Sequence, residues 1–210
     1  GIKRLGAIHR GFHLSDNGPY RNYPYWNLAI QLKATYSDLP LICDASHIGG
    51  NTALIPQLAQ KAYDLDMEKI IAGNWKMNHD LSEAEAFFVR LKQQVIPEKV
   101  EVVIAPSFVV LPRAFELFRE HPVQLAAQNM HQSVSGAFTG EVSAKMLKSI
   151  GIEMVIIGHS ERRSLFNESH QVLAEKVDTA LSSGMNIIFC VGEELEDRRN
   201  KNHFDTVQKQ

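Results

Sequence analysis

Met154-Val155-Ile156-Ile157-Gly158-His159-Ser160-Glu161-Arg162-Arg163 is a short apolar run, a glycine, and then a cluster of groups that carry charge or exchange protons. The run is continuous rather than alternating, which suits a strand buried on both faces. Moving outward, similar runs recur: Leu5-Gly6-Ala7-Ile8, Pro40-Leu41-Ile42-Cys43, Ile70-Ile71-Ala72, Val102-Val103-Ile104-Ala105, Val123-Gln124-Leu125-Ala126 and Asn186-Ile187-Ile188-Phe189-Cys190. Most starts lie about 30 residues apart, the period of a βα unit, with one shorter step from the fourth to the fifth. The intervals carry helical patterns. The spacing predicts a helix over 82–95 that opens with a capping box, Ser82 with Glu85, and places Phe87, Phe88 and Leu91 on one face. A second is predicted over 171–181, with Val172, Leu173, Val177 and Leu181 at helical spacing. Gly151 and Gly184 precede strands, as expected where a helix closes in a left-handed cap. Seven strands with helical crossovers predict a parallel α/β sheet, open or closed.

The bulk numbers fit that reading. The 210 residues suffice for one sizeable core but fall short of the roughly 250 of a complete eight-unit barrel. With 44% apolar and 22% charged residues the composition is that of an ordinary globular protein. A net charge of −2 supplies no basic field for nucleic acid or an anionic membrane, so neither partner is expected. Cys43 and Cys190 each sit in an apolar run and read as free, buried thiols rather than a disulfide. No apolar stretch is long enough to span a bilayer, and the N-terminus lacks a signal-peptide pattern. A cytoplasmic location is expected. The charged stretch 193–201 reads as a solvated loop and helix start. Seven strands instead of eight, and a chain ending within a helical pattern, lead to the expectation of a truncated barrel.

Functional groups of α/β barrels sit just past the C-terminal ends of strands. Here those ends carry His9-Arg10-Gly11, Asp44-Ala45-Ser46-His47, Asn74-Trp75-Lys76, Pro106-Ser107, Gln128-Asn129, His159-Ser160-Glu161-Arg162 and Gly192-Glu193. Lys76 is a cation at the mouth. Ser160 is placed to cap a following helix, which sets the His159 imidazole near a positive helix end, disfavours the imidazolium and leaves a neutral electrophile. A lysine with a neutral histidine suits stabilisation of an enediolate-like oxyanion. The same pair also fits a surface lysine and a hydrogen-bonded structural histidine. Arg10 has the fork geometry to clamp a phosphate. His47, near Asp44, is a candidate ligand for a divalent metal, although one His and one Asp do not make a site and a structural role fits as well.

Several of these motifs carry a resemblance. Ala72-Gly73-Asn74-Trp75-Lys76-Met77-Asn78, Ala127-Gln128-Asn129, the run from Ser135 through Gly140 to Ser143, Gly158-His159-Ser160-Glu161-Arg162-Arg163 and Cys190-Val191-Gly192-Glu193 resemble the triosephosphate isomerase family in order and spacing, from about residue 69 to the end. The resemblance covers that family's first five βα units and implies a parallel (βα) barrel of TIM type with about seven units here, closed, nearly closed or incomplete. It implies interconversion of dihydroxyacetone phosphate and glyceraldehyde 3-phosphate without a cofactor. By resemblance Asn74 and Lys76 bind substrate and its developing charge, and His159 shuttles protons between the substrate oxygens as a neutral ring. Glu161 orients the lysine, and Cys190 packs close to the site. Thr139 reaches into a partner subunit, so a homo-oligomer acting on a small phosphorylated substrate is implied. The family's catalytic glutamate lies on its sixth strand and its phosphate-binding backbone on strands seven and eight. None has a counterpart before Gln210, so a chain inactive or nearly so is expected.

Residues 1–68 resemble something else. Ala7-Ile8-His9-Arg10-Gly11-Phe12 and Ile42-Cys43-Asp44-Ala45-Ser46-His47-Ile48-Gly49-Gly50 are similar to the sixth and seventh strands of a DAHP synthase. The resemblance would give Arg10 to a phosphoenolpyruvate phosphate and His47 to a divalent metal. Ala45 stands where that family usually has proline, and its other metal ligands have no counterpart. The expected organisation is therefore a synthase-like segment 1–68 and an isomerase-like segment 69–210 within one barrel-like domain, the switch falling near 66–70. Three functions compete: a weak or inactive isomerase, a remnant of a metal-dependent aldol-type synthase, and a recombined scaffold without catalysis.

Overall fold

Each apolar run named above contributes residues to a strand in the computed structural model, which describes residues 7–9, 18–37, 41–43, 48, 54–65, 70–96, 100–192, 195–200 and 202–208. In chain order the elements are β1 (Ala7–His9), α1 (Trp26–Thr35), β2 (Leu41–Cys43), α2 (Ile55–Asp64), β3 (Ile70–Asn74), α3 (Leu81–Lys92), β4 (Glu101–Ala105), α4 (Leu111–Phe118), β5 (Val123–Ala127), α5 (Ala144–Ser149), β6 (Met154–Ile157), α6 (Ser160–Leu165), α7 (His170–Ser182), β7 (Asn186–Phe189), α8 (Leu195–Arg199) and α9 (His203–Gln208). Strands β3 to β7 form one sheet in sequence order. The pairing is parallel where Ala126 meets Met154 and where Met154 to Ile157 run beside Asn186 to Phe189. Strand, helical crossover and next strand in order is the (βα) architecture of the TIM type, and among the described residues the sheet is short of the eight strands that close a barrel.

By internal contacts the chain divides into two compact units, residues 1–73 with 95–103 and 122–124, and residues 74–94 with 104–121 and 125–210. In the first, β1 pairs in parallel with β2, Ala7 opposite Leu41 and His9 opposite Cys43. A small core of Ala29, Cys43, Ile48 and Leu58 lies there, flanked by Tyr20, Trp26 and Leu32. In the second, Ala127, Val155 and Ile157 from the strands meet Leu111, Leu147, Leu173 and Ala180 from the helices. Burying each large aliphatic side chain in that layer contributes about 1.5–3 kcal/mol, so this packing dominates the unit.

Local signals explain most boundaries, with some corrections. Helix α3 begins at Leu81, and its cap is Asp80, not Ser82: Asp80 Oδ1 accepts from Glu83 N–H at 2.9 Å and Glu83 Oε2 accepts from Asp80 N–H at 3.1 Å. Asp80 holds the extended backbone that a cap needs, whereas Glu85, one turn on, pairs with Arg113 at 2.7 Å. Ala84 and Phe88 form the buried face of α3, while Phe87 is half-buried. Phe88 stacks on Trp75 with centroids 5.3 Å apart and meets Phe118 edge-on at 5.5 Å. Gly151 and Gly184 do take positive φ, +80° and +69°, ahead of β6 and β7. On α7 the inward stripe is Leu173, Lys176 and Ala180, and the expected Leu181 is instead 49% exposed. Cys43 is buried as expected, but Cys190 is only half-buried.

Candidate functional site

Lys76 stands two residues past the point where β3 turns outward, with φ +56°. Positive φ in a residue with a Cβ is uncommon and costs roughly 1–2 kcal/mol, so the turn needs support. Four hydrogen bonds supply it. Asn74 Oδ1 accepts from Lys76 N–H at 2.9 Å, Gln128 Nε2 donates to Lys76 O at 2.9 Å and to Ala105 O at 2.8 Å, and Trp75 N–H donates to Ala105 O at 3.1 Å. The ends of β3, β4 and β5 thus jointly aim the lysine. Its ammonium is paired with Oε1 of Glu161.

His159 follows β6. Ser160, expected to cap the next helix, is instead its first residue, and His159 itself caps α6, Nδ1 accepting from Glu161 N–H at 3.3 Å. Only a ring nitrogen without a proton accepts an N–H bond, so this contact selects the neutral imidazole with its proton on Nε2. Glu161 Oε2 lies 3.5 Å from the same Nδ1 and by charge alone would favour the imidazolium. That carboxylate is itself engaged by the Lys76 ammonium. The His159 side chain is only 8% exposed. Glu161 therefore serves two partners, its carboxylate holding the lysine and its amide holding the histidine.

Gly158 makes that arrangement possible. Its φ is +77°, and a Cβ there would stand 2.8 Å from Arg163 Nη2 and 3.1 Å from Cys190 O. Arg163 Nε donates to Gly158 O at 2.7 Å and Nη2 donates to Cys190 O at 2.9 Å, tying the ends of β6 and β7 to α6. Burial pulls this guanidinium below the usual arginine range, partly offset by Cys190 and Glu168.

Behind the site lies a buried ionic cluster. Lys176 Nζ donates to Glu168 Oε1 at 2.6 Å and to Asn129 Oδ1 at 2.8 Å, and Arg162 Nε donates to the same Glu168 oxygen at 2.5 Å. Burial lowers the Lys176 ammonium, partly offset by Glu168. Burial pushes the Glu168 carboxyl up, but the hydrogen bonds from Lys176 and Arg162 outweigh it and hold the group below its ordinary range. Sequence reasoning passed over Lys176 and Glu168. The available signal was a lysine three residues after Leu173, inside an apolar stripe.

Of the expected site residues, Asn74, Lys76, His159 and Glu161 are linked by the contacts above. Thr139 is exposed and shares none of these contacts; it lies on a loop closed by His131 N–H donating to Val142 O at 2.8 Å and by the tilted rings of His131 and Phe138, 4.1 Å apart. Arg10 and His47 lie outside the described residues. Among the described residues no group of three His, Cys, Asp or Glu is placed to hold a metal, and no helix is long and apolar enough to cross a membrane.

The family model for triosephosphate isomerase matches residues 69–210. The chain belongs to the triosephosphate isomerase family. Among curated relatives, a triosephosphate isomerase of Flavobacterium psychrophilum is 49% identical over 143 residues, covering 68% of this chain and 57% of the relative. That of Flavobacterium johnsoniae is 48% identical over 68% of this chain and 58% of the relative. That of Alkaliphilus oremlandii is 45% identical over 67% and 57%. The chain thus spans little more than half the length of these isomerases.

Proposed function

We propose that residues 69–210 carry the electrophilic half of a triosephosphate isomerase site, acting on dihydroxyacetone phosphate and glyceraldehyde 3-phosphate without a cofactor. The observation that supports it best is the acceptor state of His159 Nδ1, with Lys76 held by the same glutamate. A neutral imidazole presents Nε2–H to a substrate oxygen as a donor. As negative charge grows on that oxygen, the donor and the Lys76 ammonium stabilise it more strongly than they stabilise the ground state. The proton can then pass between the two oxygens through Nε2. Asn74 is assigned to the substrate side through its amide nitrogen, its oxygen being taken by the Lys76 amide.

Removing the carbon-bound proton needs a base, which the family resemblance places on a sixth isomerase strand. We assign none of the 210 residues to that role, and propose that on their own they turn over little or no substrate. A homodimer in which Thr139 meets the partner's site belongs to the same proposal. For residues 1–68, the synthase-like reading rests on Ala7 to Phe12 and Ile42 to Gly50 alone. Its one recognisable metal ligand, His47, does not by itself make up a metal site. The proposal therefore keeps 1–68 as a βα segment that precedes the isomerase-like 69–210 in the chain, as in a recombined scaffold.

The test is a coupled isomerase assay on the purified 210-residue chain beside His159→Gln. Turnover above background that the variant abolishes would support the site and overturn the claim of inactivity. Turnover equal in both would remove His159 from the proposed role.

A further inference from the structure

We propose that the buried Lys176–Glu168–Arg162 network, anchored on Asn129, is a positioning device that holds α6, and with it the His159–Glu161 pair, in register with the end of β5. The inference rests on the isomerase reading of those two residues and extends it to groups that touch no substrate.

Helix α6 needs such a device. It has only six residues, and none of them is buried. Short helices are marginal by themselves, and most helical stability in proteins comes from packing an apolar face; α6 has none to pack. What fixes it is polar. On one side Arg163 ties it to the carbonyls of Gly158 and Cys190. On the other, Arg162 stacks over Phe166 at 4.6 Å and donates to Glu168, whose own N–H returns to Arg162 O at 3.2 Å. Glu168 Oε1 is shared with Lys176, which is 3% exposed and reaches Asn129 just past β5. The chain of contacts therefore runs from β5 through α7 to α6. The first turn of α6 supplies the amide that sets the His159 ring, and Gln128, next to Asn129, supplies the amide that sets Lys76. One network thus registers both halves of the site.

A buried ion pair is weak evidence for stability, since apolar or neutral isosteres often replace it without loss, whereas removing one partner leaves an uncompensated charge. Its retention here is explained by geometry: directional bonds specify where α6 sits, which apolar contacts would not do.

The experiment compares the full chain with the double variant Lys176→Met/Glu168→Gln, which removes the two deeply buried charges together and leaves only the Arg162 guanidinium, whose side chain is 26% exposed and within reach of water. Amide hydrogen exchange and ring 15N resonances are read by NMR in the absence of substrate. The expected result is faster exchange, by about tenfold or more, at the amides of Glu161, Arg162 and Arg163. The amides of Val155 to Ile157 in β6 should keep their protection, and the His159 Nδ1 resonance should be displaced. Unchanged exchange in α6, an equal acceleration in α6 and β6, or an unmoved His159 resonance would each overturn the proposal. Because no turnover is measured, a failed isomerase assay leaves this outcome unaffected, and the two readings fail separately.

Discussion

Gly158 and Lys76 both hold left-handed backbone, for opposite reasons. Gly158 has no side chain to oppose it, and the space beside its α-carbon is filled by Arg163 and Cys190. Replacing it with alanine should cost at least the roughly 1–2 kcal/mol of a left-handed L-residue plus the displacement of Arg163, read as a lowered denaturation midpoint. Lys76 bears its strain because Asn74 and Gln128 hold its backbone from both sides. Its ion pair with Glu161 is about a third exposed, so Lys76→Met should change stability by less than about 1 kcal/mol. The same variant should remove the cation from the proposed oxyanion site. A midpoint shift of several kcal/mol would show that Lys76 is chiefly structural.

Helix starts are set by single side chains, and α3 offers a direct comparison. Asp80 makes both halves of the capping box with Glu83, while Ser82 sits exposed one residue inside the helix. Asp80→Ala should therefore cost about 1 kcal/mol, and Ser82→Ala should fall within about 0.5 kcal/mol of no effect. Urea denaturation of the two variants decides between them, and the reverse order would restore the box expected from Ser82 and Glu85. The misassignment has a simple origin. Asp80 and Ser82 are both good caps with a glutamate three residues later, and local pattern alone does not choose between them. The competition is settled by Glu85 reaching Arg113 on α4, a contact between elements 28 residues apart in sequence.

For the molecule as a whole, the buried cluster links stability to pH. The Glu168 carboxyl is held below its ordinary range in the folded state, so its contribution is present above the unfolded value and lost as pH falls through the folded one. The Lys176 ammonium is lowered, so the folded state binds protons less readily than the unfolded chain, and that penalty is relieved as pH rises towards the ordinary lysine range. Both groups make stability rise with pH across their own windows. Denaturation midpoints measured through the acid range should fall for the parent chain, with a shallower fall in Glu168→Gln; equal slopes would remove Glu168 as the cause. Glu168→Ala alone should cost about 3–5 kcal/mol near neutral pH, because Lys176 is left charged and buried.

The βα rhythm, the positions of the strands and the helix-closing glycines at 151 and 184 were legible in the amino-acid order, because continuous apolar runs and backbone-permissive residues act over a few neighbours. Lys76, His159 and Glu161 were legible as candidates for the same reason: they follow strand ends, and strand ends are where such sheets present chemistry. Folding in three dimensions was needed to give Glu161 its two partners, to make His159 rather than Ser160 the cap of α6, and to turn Lys176 inward onto Glu168 and Asn129. Those contacts join residues up to 85 positions apart. Hydrogen bonds and buried charges of that range depend on distances that no local periodicity encodes.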